Sequence, residues 1–139
     1  MKQSVLMVDD NMANLKIGKG ILSDIYNVYT VLTAEKMFEL LTKAMPDIIL
    51  LDIEMPGMDG MEAIGRLKSD ETLKNIPVIF LTSRSDGGSE LKGLSLGAVD
   101  YISKPFSPAL LRKRLELHLL MAEQTRLLQE YKERYGAIS

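Results

Sequence analysis

The chain has 139 residues, of which 46% are hydrophobic and 26% charged, with a formal net charge of −2 and no cysteine. Such a composition suits one globular domain with its own core; it excludes disulfides and thiolate metal sites, and no run approaches the ~18 uncharged apolar residues of a membrane span. Residues 1–107 hold 11 Lys/Arg against 15 Asp/Glu, whereas residues 108–139 hold 6 against 4. An acidic body of this kind argues against direct nucleic-acid binding, and the run Arg112-Lys113-Arg114 reads as a solvated helix face. The N-terminus offers one Lys before a short apolar run that ends in Asp9-Asp10, which is no signal peptide, so a cytoplasmic location is expected.

In chain order, short apolar runs alternate with helix-like stretches. Residues 5–8 (VLMV), 48–51 (IILL) and 78–81 (VIFL) are continuous and rich in β-branched types, as strands covered on both faces are. Residues 27–32 (NVYTVL) alternate more and suit an edge strand; residues 99–102 form a weaker fifth. The first helix starts at Asp10 or Asn11 and turns Leu15, Ile21 and Leu22 inward, with Gly18 and Gly20 weakening it by about 1 kcal/mol each relative to Ala. Thr33 caps the second, whose inward residues are Met37, Phe38, Leu40 and Leu41, and Pro46 ends it. Asp59 or Gly60 opens the third, through Met61, Ile64 and Leu67. Asp86 opens the fourth, which runs to Gly97 with Leu91, Leu94 and Leu96 as its apolar contribution. Five strand–helix units with right-handed crossovers give an α/β fold: a (βα)₅ flavodoxin-like doubly wound parallel sheet of order 2-1-3-4-5.

The last helix differs from the others. From Pro108 to about Tyr135 there is neither Gly nor Pro, a length of about 42 Å, roughly twice what covering the sheet requires. Leu117, Met121, Gln124, Leu128, Tyr131 and Tyr135 recur at alternating four- and three-residue spacing, the seam of a two-stranded coil. The same segment also reads as a solvated tail, since only two heptads are present and one seam position is Gln. His118, the single histidine, has no second histidine with which to bind a metal and is assigned to packing or to the helix surface.

Four strands end in residues suited to phosphate or metal: Asp9 and Asp10, Asp52, Thr82, and Lys104. Ligands of open parallel sheets sit at the carboxyl ends of strands where the strand order reverses, here between the first and third. Converging carboxylates repel one another unless a hard cation such as Mg²⁺ joins them. A carboxylate beside Mg²⁺ can attack phosphorus, while a lysine and a hydroxyl can hold the oxygens of the transferred group. Each residue alone also fits a cap, a turn or a surface charge; it is their convergence that carries the reading.

These residues lie in VDDN (8–11), LLDIEMPGMDG (50–60), FLTS (80–83) and GAVDYISKPF (97–106). The ordered set, spread over residues 4 to about 121, resembles the receiver domains of bacterial two-component response regulators, of the chemotaxis-receiver kind. The resemblance implies that Asp52 is the phosphoacceptor. It implies a Mg²⁺ bound by Asp10 directly, by Asp9 mainly through water, by Asp52 and by the backbone carbonyl of Glu54. Thr82 and Lys104 would each bond a phosphoryl oxygen, Lys104–Pro105 would be a cis peptide, and Tyr101 would swing inward as Thr82 moves. The implied donor is a histidine kinase or phosphotransfer protein. Ser83 stands where a small residue, often Ala, is usual in that family, and the resemblance implies that Glu54 would face the pocket entrance and tune the phosphoryl lifetime.

A phosphatase of the haloacid dehalogenase type also uses an aspartyl nucleophile with Thr, Lys and acidic metal ligands. It places an Asp where Glu54 stands, however, and its acidic pair comes late in the chain. A receiver that has lost phosphorylation would lack some of the site residues, and all are present. The expected division is a receiver over residues 1–121 and a helical extension over 122–139. The long helix favours a receiver cut from a longer protein over a stand-alone one, and a homodimer through that helix.

Overall fold

The computed structural model describes residues 2–83 and 87–136. Five strands, β1 (Ser4–Val8), β2 (Asn27–Val31), β3 (Ile48–Asp52), β4 (Val78–Thr82) and β5 (Asp100–Ser103), alternate with α1 (Met12–Leu22), α2 (Ala34–Leu41), α3 (Gly60–Ser69), α4 (Gly87–Ser95) and α5 (Pro108–Tyr135). The strands form one sheet of order β2-β1-β3-β4-β5, and all four pairings are parallel. This is the flavodoxin-like doubly wound sheet expected from the alternation of elements. The two weaker strands begin or end a residue away from their apolar runs, and Asp86, expected to open the fourth helix, lies outside the described residues.

Strand alternation sorts the core into two layers. Val5, Met7, Ile48, Leu50, Ile79, Leu81 and Ile102 pack with Leu15 and Leu22 of α1 and with Leu111, Leu115 and Leu119 of α5. On the opposite face Leu6, Val8, Ile49, Leu51, Val78 and Phe80 meet Met37 and Leu41 of α2 and Ile64 and Leu67 of α3. Ile21, Phe38, Leu40 and Met61 are only partly buried at the edges of these layers. Asn11, Thr33, Asp59 and Ser107 cap α1, α2, α3 and α5 by accepting hydrogen bonds from first-turn N–H groups, which satisfies donors that have no partner within the helix.

Gly18 does more than weaken α1. A Cβ there would lie 2.6 Å from Met7 Sδ and 2.3 Å from its Cε, so glycine is what lets α1 settle onto β1. Gly93 does the same for α4, where a Cβ would lie 2.4 Å from the Phe80 ring.

Two expectations are refined. Leu91, Leu94 and Leu96 do not face the core; they are 73%, 39% and 38% exposed. The buried contact of α4 is Gly93, where a side chain would meet the Phe80 ring. Nor is the basic run of α5 merely solvated. Arg112 donates from Nε and one terminal nitrogen to the Ile21 carbonyl at 3.2 and 3.0 Å, and Arg114 donates to the Tyr101 carbonyl.

Candidate functional site

The end of β1 and the start of α1 carry Asp9, Asp10 and Asn11, and β3, next to β1 in the sheet, ends in Asp52. In the register of β3 on β4, Asp52 lies beside Leu81, one residue before Thr82. Strand β5 ends at Ser103, so Lys104 leaves the sheet over the same edge, its N–H bonded to the Thr82 carbonyl at 2.7 Å. Parallel pairing therefore brings four chain-distant segments to one carboxyl edge. They line a cleft of about 380 Å³ that also includes Asn14, Ile53, Glu54 and Ser83.

Beneath the cleft Asp9 is fully buried; at its wall Asp52 and Thr82 are nearly so, at 3% and 1% exposure, while Asp10 is exposed. One oxygen from each of Asp9, Asp10 and Asp52 lies within 4.8 Å of the other two. Lys104 Nζ reaches Asp52 Oδ1 at 3.2 Å and Asp9 Oδ2 at 3.3 Å. The Glu54 N–H donates to Asp52 Oδ1 at 3.3 Å; the Asn11 N–H and Asn14 Nδ2 donate to Asp9 at 2.9 and 3.3 Å. The loop between β3 and α3 turns on Gly57, at φ +75°. It closes against the strand through Gly60, whose N–H donates to the Ile53 carbonyl at 2.8 Å. A Cβ on Gly60 would meet the Asp52 carbonyl oxygen at 2.4 Å, so glycine is needed where the loop passes the Asp52 backbone.

The charges do not balance. Among the described residues one ammonium faces three carboxylates, two of them buried. Burial pushes the Asp52 carboxyl up to about 7, Asp9 beside it adds to the rise, and Lys104 and the Glu54 N–H oppose it. Burial by itself would lower the Lys104 ammonium, but the attraction of Asp52 and Asp9 outweighs this and raises it. An all-oxygen donor set with surplus negative charge fits a hard divalent cation, and Asp9, Asp10 and Asp52 could hold one.

The expected residues thus divide into those that meet at the cleft (Asp9, Asp10, Asp52, Glu54, Thr82 and Lys104) and Tyr101, which lies away from it. Tyr101 is half-buried on β5, with the Arg114 guanidinium 5.6 Å from its ring centroid. The Lys104–Pro105 peptide is cis. Sequence reasoning missed Asn14, which supports Asp9, and Glu90 of α4, which accepts the Thr82 hydroxyl proton at 3.2 Å. It also missed the link of His118 Nε2 to Asp100 Oδ2 at 2.8 Å, with Arg114 3.7 Å from Asp100. Asn14, three residues after the cap, was within reach of a periodicity argument; the other contacts join separate elements and leave no local signal.

A family model for the response regulator receiver domain matches residues 5–116. The chain belongs to that family. Among curated proteins, a probable cyclic di-GMP phosphodiesterase of Vibrio cholerae serotype O1 is 39% identical over 84% of this chain and 26% of its own length. The response regulator PleD of Caulobacter vibrioides is 36% identical over 83% of this chain and 26% of its own length. The chain therefore spans about a quarter of the length of these relatives. Among solved structures, a putative response regulator from Chloroflexus aurantiacus superimposes with a TM-score of 0.83 at 28% identity, covering 86% of this chain and 99% of that one. NtrX from Brucella abortus gives 0.89 at 25% identity over 96% of this chain and 31% of its own. A match that wide takes in most of the long final helix as well as the receiver fold.

Proposed function

We propose that this receiver is a phosphorylation-dependent signalling switch with Asp52 as its phosphoacceptor. The observation that carries the reading is the meeting of Asp9, Asp10 and Asp52 with Lys104 in one cleft. A carboxylate oxygen of Asp52 attacks the phosphorus of a phosphohistidine on a histidine kinase or phosphotransfer protein. The new P–O bond forms as the P–N bond breaks, and the imidazole leaves with the nitrogen's electron pair. Lys104, which contacts Asp52, would pair with one phosphoryl oxygen, and the Thr82 hydroxyl would donate to another. Asp9, Asp10, Asp52 and the Glu54 carbonyl would hold Mg²⁺, which supplies the positive charge that lets two anions approach. The Asn11 and Asn14 hydrogen bonds fix the Asp9 carboxylate for that task. On this reading the chain catalyses only its own phosphoryl transfer and slow dephosphorylation.

The signal would pass from Thr82 through Tyr101 to the face made by α4, β5 and α5. Beyond residue 121 every described side chain of α5 is exposed except the half-buried Ala122, which suits a receiver over residues 1–121 and an extension over 122–139. From the end of the receiver along the extension, Met121, Leu128, Tyr131 and Tyr135 are 51%, 55%, 62% and 42% exposed. Arg126 pairs with Glu123 and Glu130 on the other side of the helix. An apolar seam backed by charge fits a parallel two-stranded coil, and we read the chain as a cytoplasmic homodimer through α5 that controls a partner or a fused output domain. No described helix is long and apolar enough to cross a membrane.

Incubation with a small phosphodonor and Mg²⁺ should add one acid-labile phosphoryl group, seen by mass spectrometry and absent from Asp52→Ala. A persisting adduct on that variant would remove Asp52 from its role.

A further inference from the structure

The Thr82 hydroxyl is almost inaccessible to water, and its proton goes to Glu90 Oε1 at 3.2 Å. A hydroxyl carries one hydrogen and can donate to one acceptor at a time. Carboxylate and phosphoryl oxygens both accept only, so Glu90 and a phosphoryl group on Asp52 compete for the same proton. Among its described side chains, helix α4 has little else to hold it. Gly93 is its one buried residue among those described, and its leucines point to solvent.

We infer that Glu90 is a positioning residue that latches the switch in its unphosphorylated form. Its carboxylate holds the Thr82 hydroxyl and α4 together, and a phosphoryl group on Asp52 must withdraw that hydroxyl to engage it. The inference rests on Asp52 being the phosphoacceptor and Thr82 a phosphoryl ligand. It adds the competing acceptor that sets how hard the switch is to turn on. When Thr82 turns toward the phosphoryl group, Glu90 returns to solvent and α4 loses its tether to β4. The helix that responds is thereby the one that carried the restraint.

The test uses the full chain with Mg²⁺ and beryllium trifluoride as the phosphoryl mimic, with affinity measured by calorimetry. Removing an off-state bond must tighten binding, and Glu90→Ala should do so about three- to tenfold. Glu90→Gln keeps an acceptor oxygen and should stay near the unsubstituted affinity. In a Thr82→Ala background, Glu90→Ala should change nothing, because the two residues act through one bond. Unchanged affinity in Glu90→Ala overturns the latch. So does tightening that persists without the Thr82 hydroxyl or that Glu90→Gln reproduces, since either means simple charge repulsion. Hydrogen exchange without the mimic gives a second reading: α4 amides should exchange faster in Glu90→Ala, and equal rates would sink the proposal. If the unsubstituted chain does not bind the mimic at all, the role of Asp52 fails, while the exchange comparison still judges the latch.

Discussion

The carboxyl edge of the sheet and the outer side of α4 and α5 depart from ordinary packing in opposite ways. At the sheet edge, Asp9, Asp52 and Thr82 are polar and buried, and every hydrogen bond they make spans separate segments or a tight loop. On α4 and α5, Leu91, Leu117, Leu128 and Tyr131 are apolar and half or more exposed. A buried charge without full compensation calls for a ligand, and an exposed apolar row calls for a partner. In the first region stability is given up to hold buried carboxylates together; in the second the domain loses almost nothing, because those side chains were never in its core.

The largest effect should follow from removing Lys104, the one cation at the edge among the described residues. Lys104→Met leaves Asp9 and Asp52 facing each other, and should destabilise the metal-free chain by about 2–4 kcal/mol near pH 8 in urea unfolding. The loss should shrink toward pH 5, where Asp52 takes up a proton, and shrink again with Mg²⁺ present. A loss below about 0.5 kcal/mol would mean that water already compensates the carboxylates.

Asp52 supplies a second, somewhat smaller contrast. Its carboxyl titrates at about 7 in the folded metal-free chain, against the ordinary value of 3.8. Between those values the folded chain holds a proton that the unfolded chain has released. Its contribution to stability is therefore present below pH 3.8 and is lost as pH rises to about 7, levelling off beyond. Asp52→Asn should flatten that slope and raise stability near pH 8 by about 1–3 kcal/mol, read from thermal unfolding across the window. An unchanged slope in the variant would assign the titration to another group.

The fold and the cleft were legible because both follow from strand ends. Three four-residue apolar runs mark the buried strands, and the polar residue that stops each run is already at the sheet's carboxyl edge. The packing of helix α4 was not legible for a related reason: its leucines are its apolar contribution, but an apolar residue on a helix does not show what covers it. Gly93, which contributes no hydrophobicity, is the actual contact on Phe80. Glu90 on Thr82 and His118 on Asp100 were invisible because they join a helix to a strand.

Gly18→Ala probes packing away from both regions. The new methyl meets the end of the Met7 side chain, which is flexible but itself buried. A gain in helix propensity of about 1 kcal/mol opposes an overpacking cost of about 1–3 kcal/mol. The net effect should be a destabilisation of about 1 kcal/mol in urea unfolding; a stabilised variant would show that Met7 moves aside freely.

The smallest effect on folding is expected at the α5 extension, where the comparison is sharpest. Leu128 and Tyr131 touch no part of the sheet, so replacing both with Ser should shift unfolding by no more than about 0.5 kcal/mol, measured where the chain is dilute enough to be monomeric. The same pair lies on the seam of the proposed coil, where two apolar contacts are lost from each helix at once. Sedimentation of the unsubstituted chain should therefore give a mass that rises with concentration toward a dimer, and the double variant should stay monomeric over the same range. A dimer that survives the substitution would move the interface to the exposed leucines of α4. A monomer at every concentration would leave the extension a solvated helix, and the exposed apolar row would then need a partner other than a second copy of this chain.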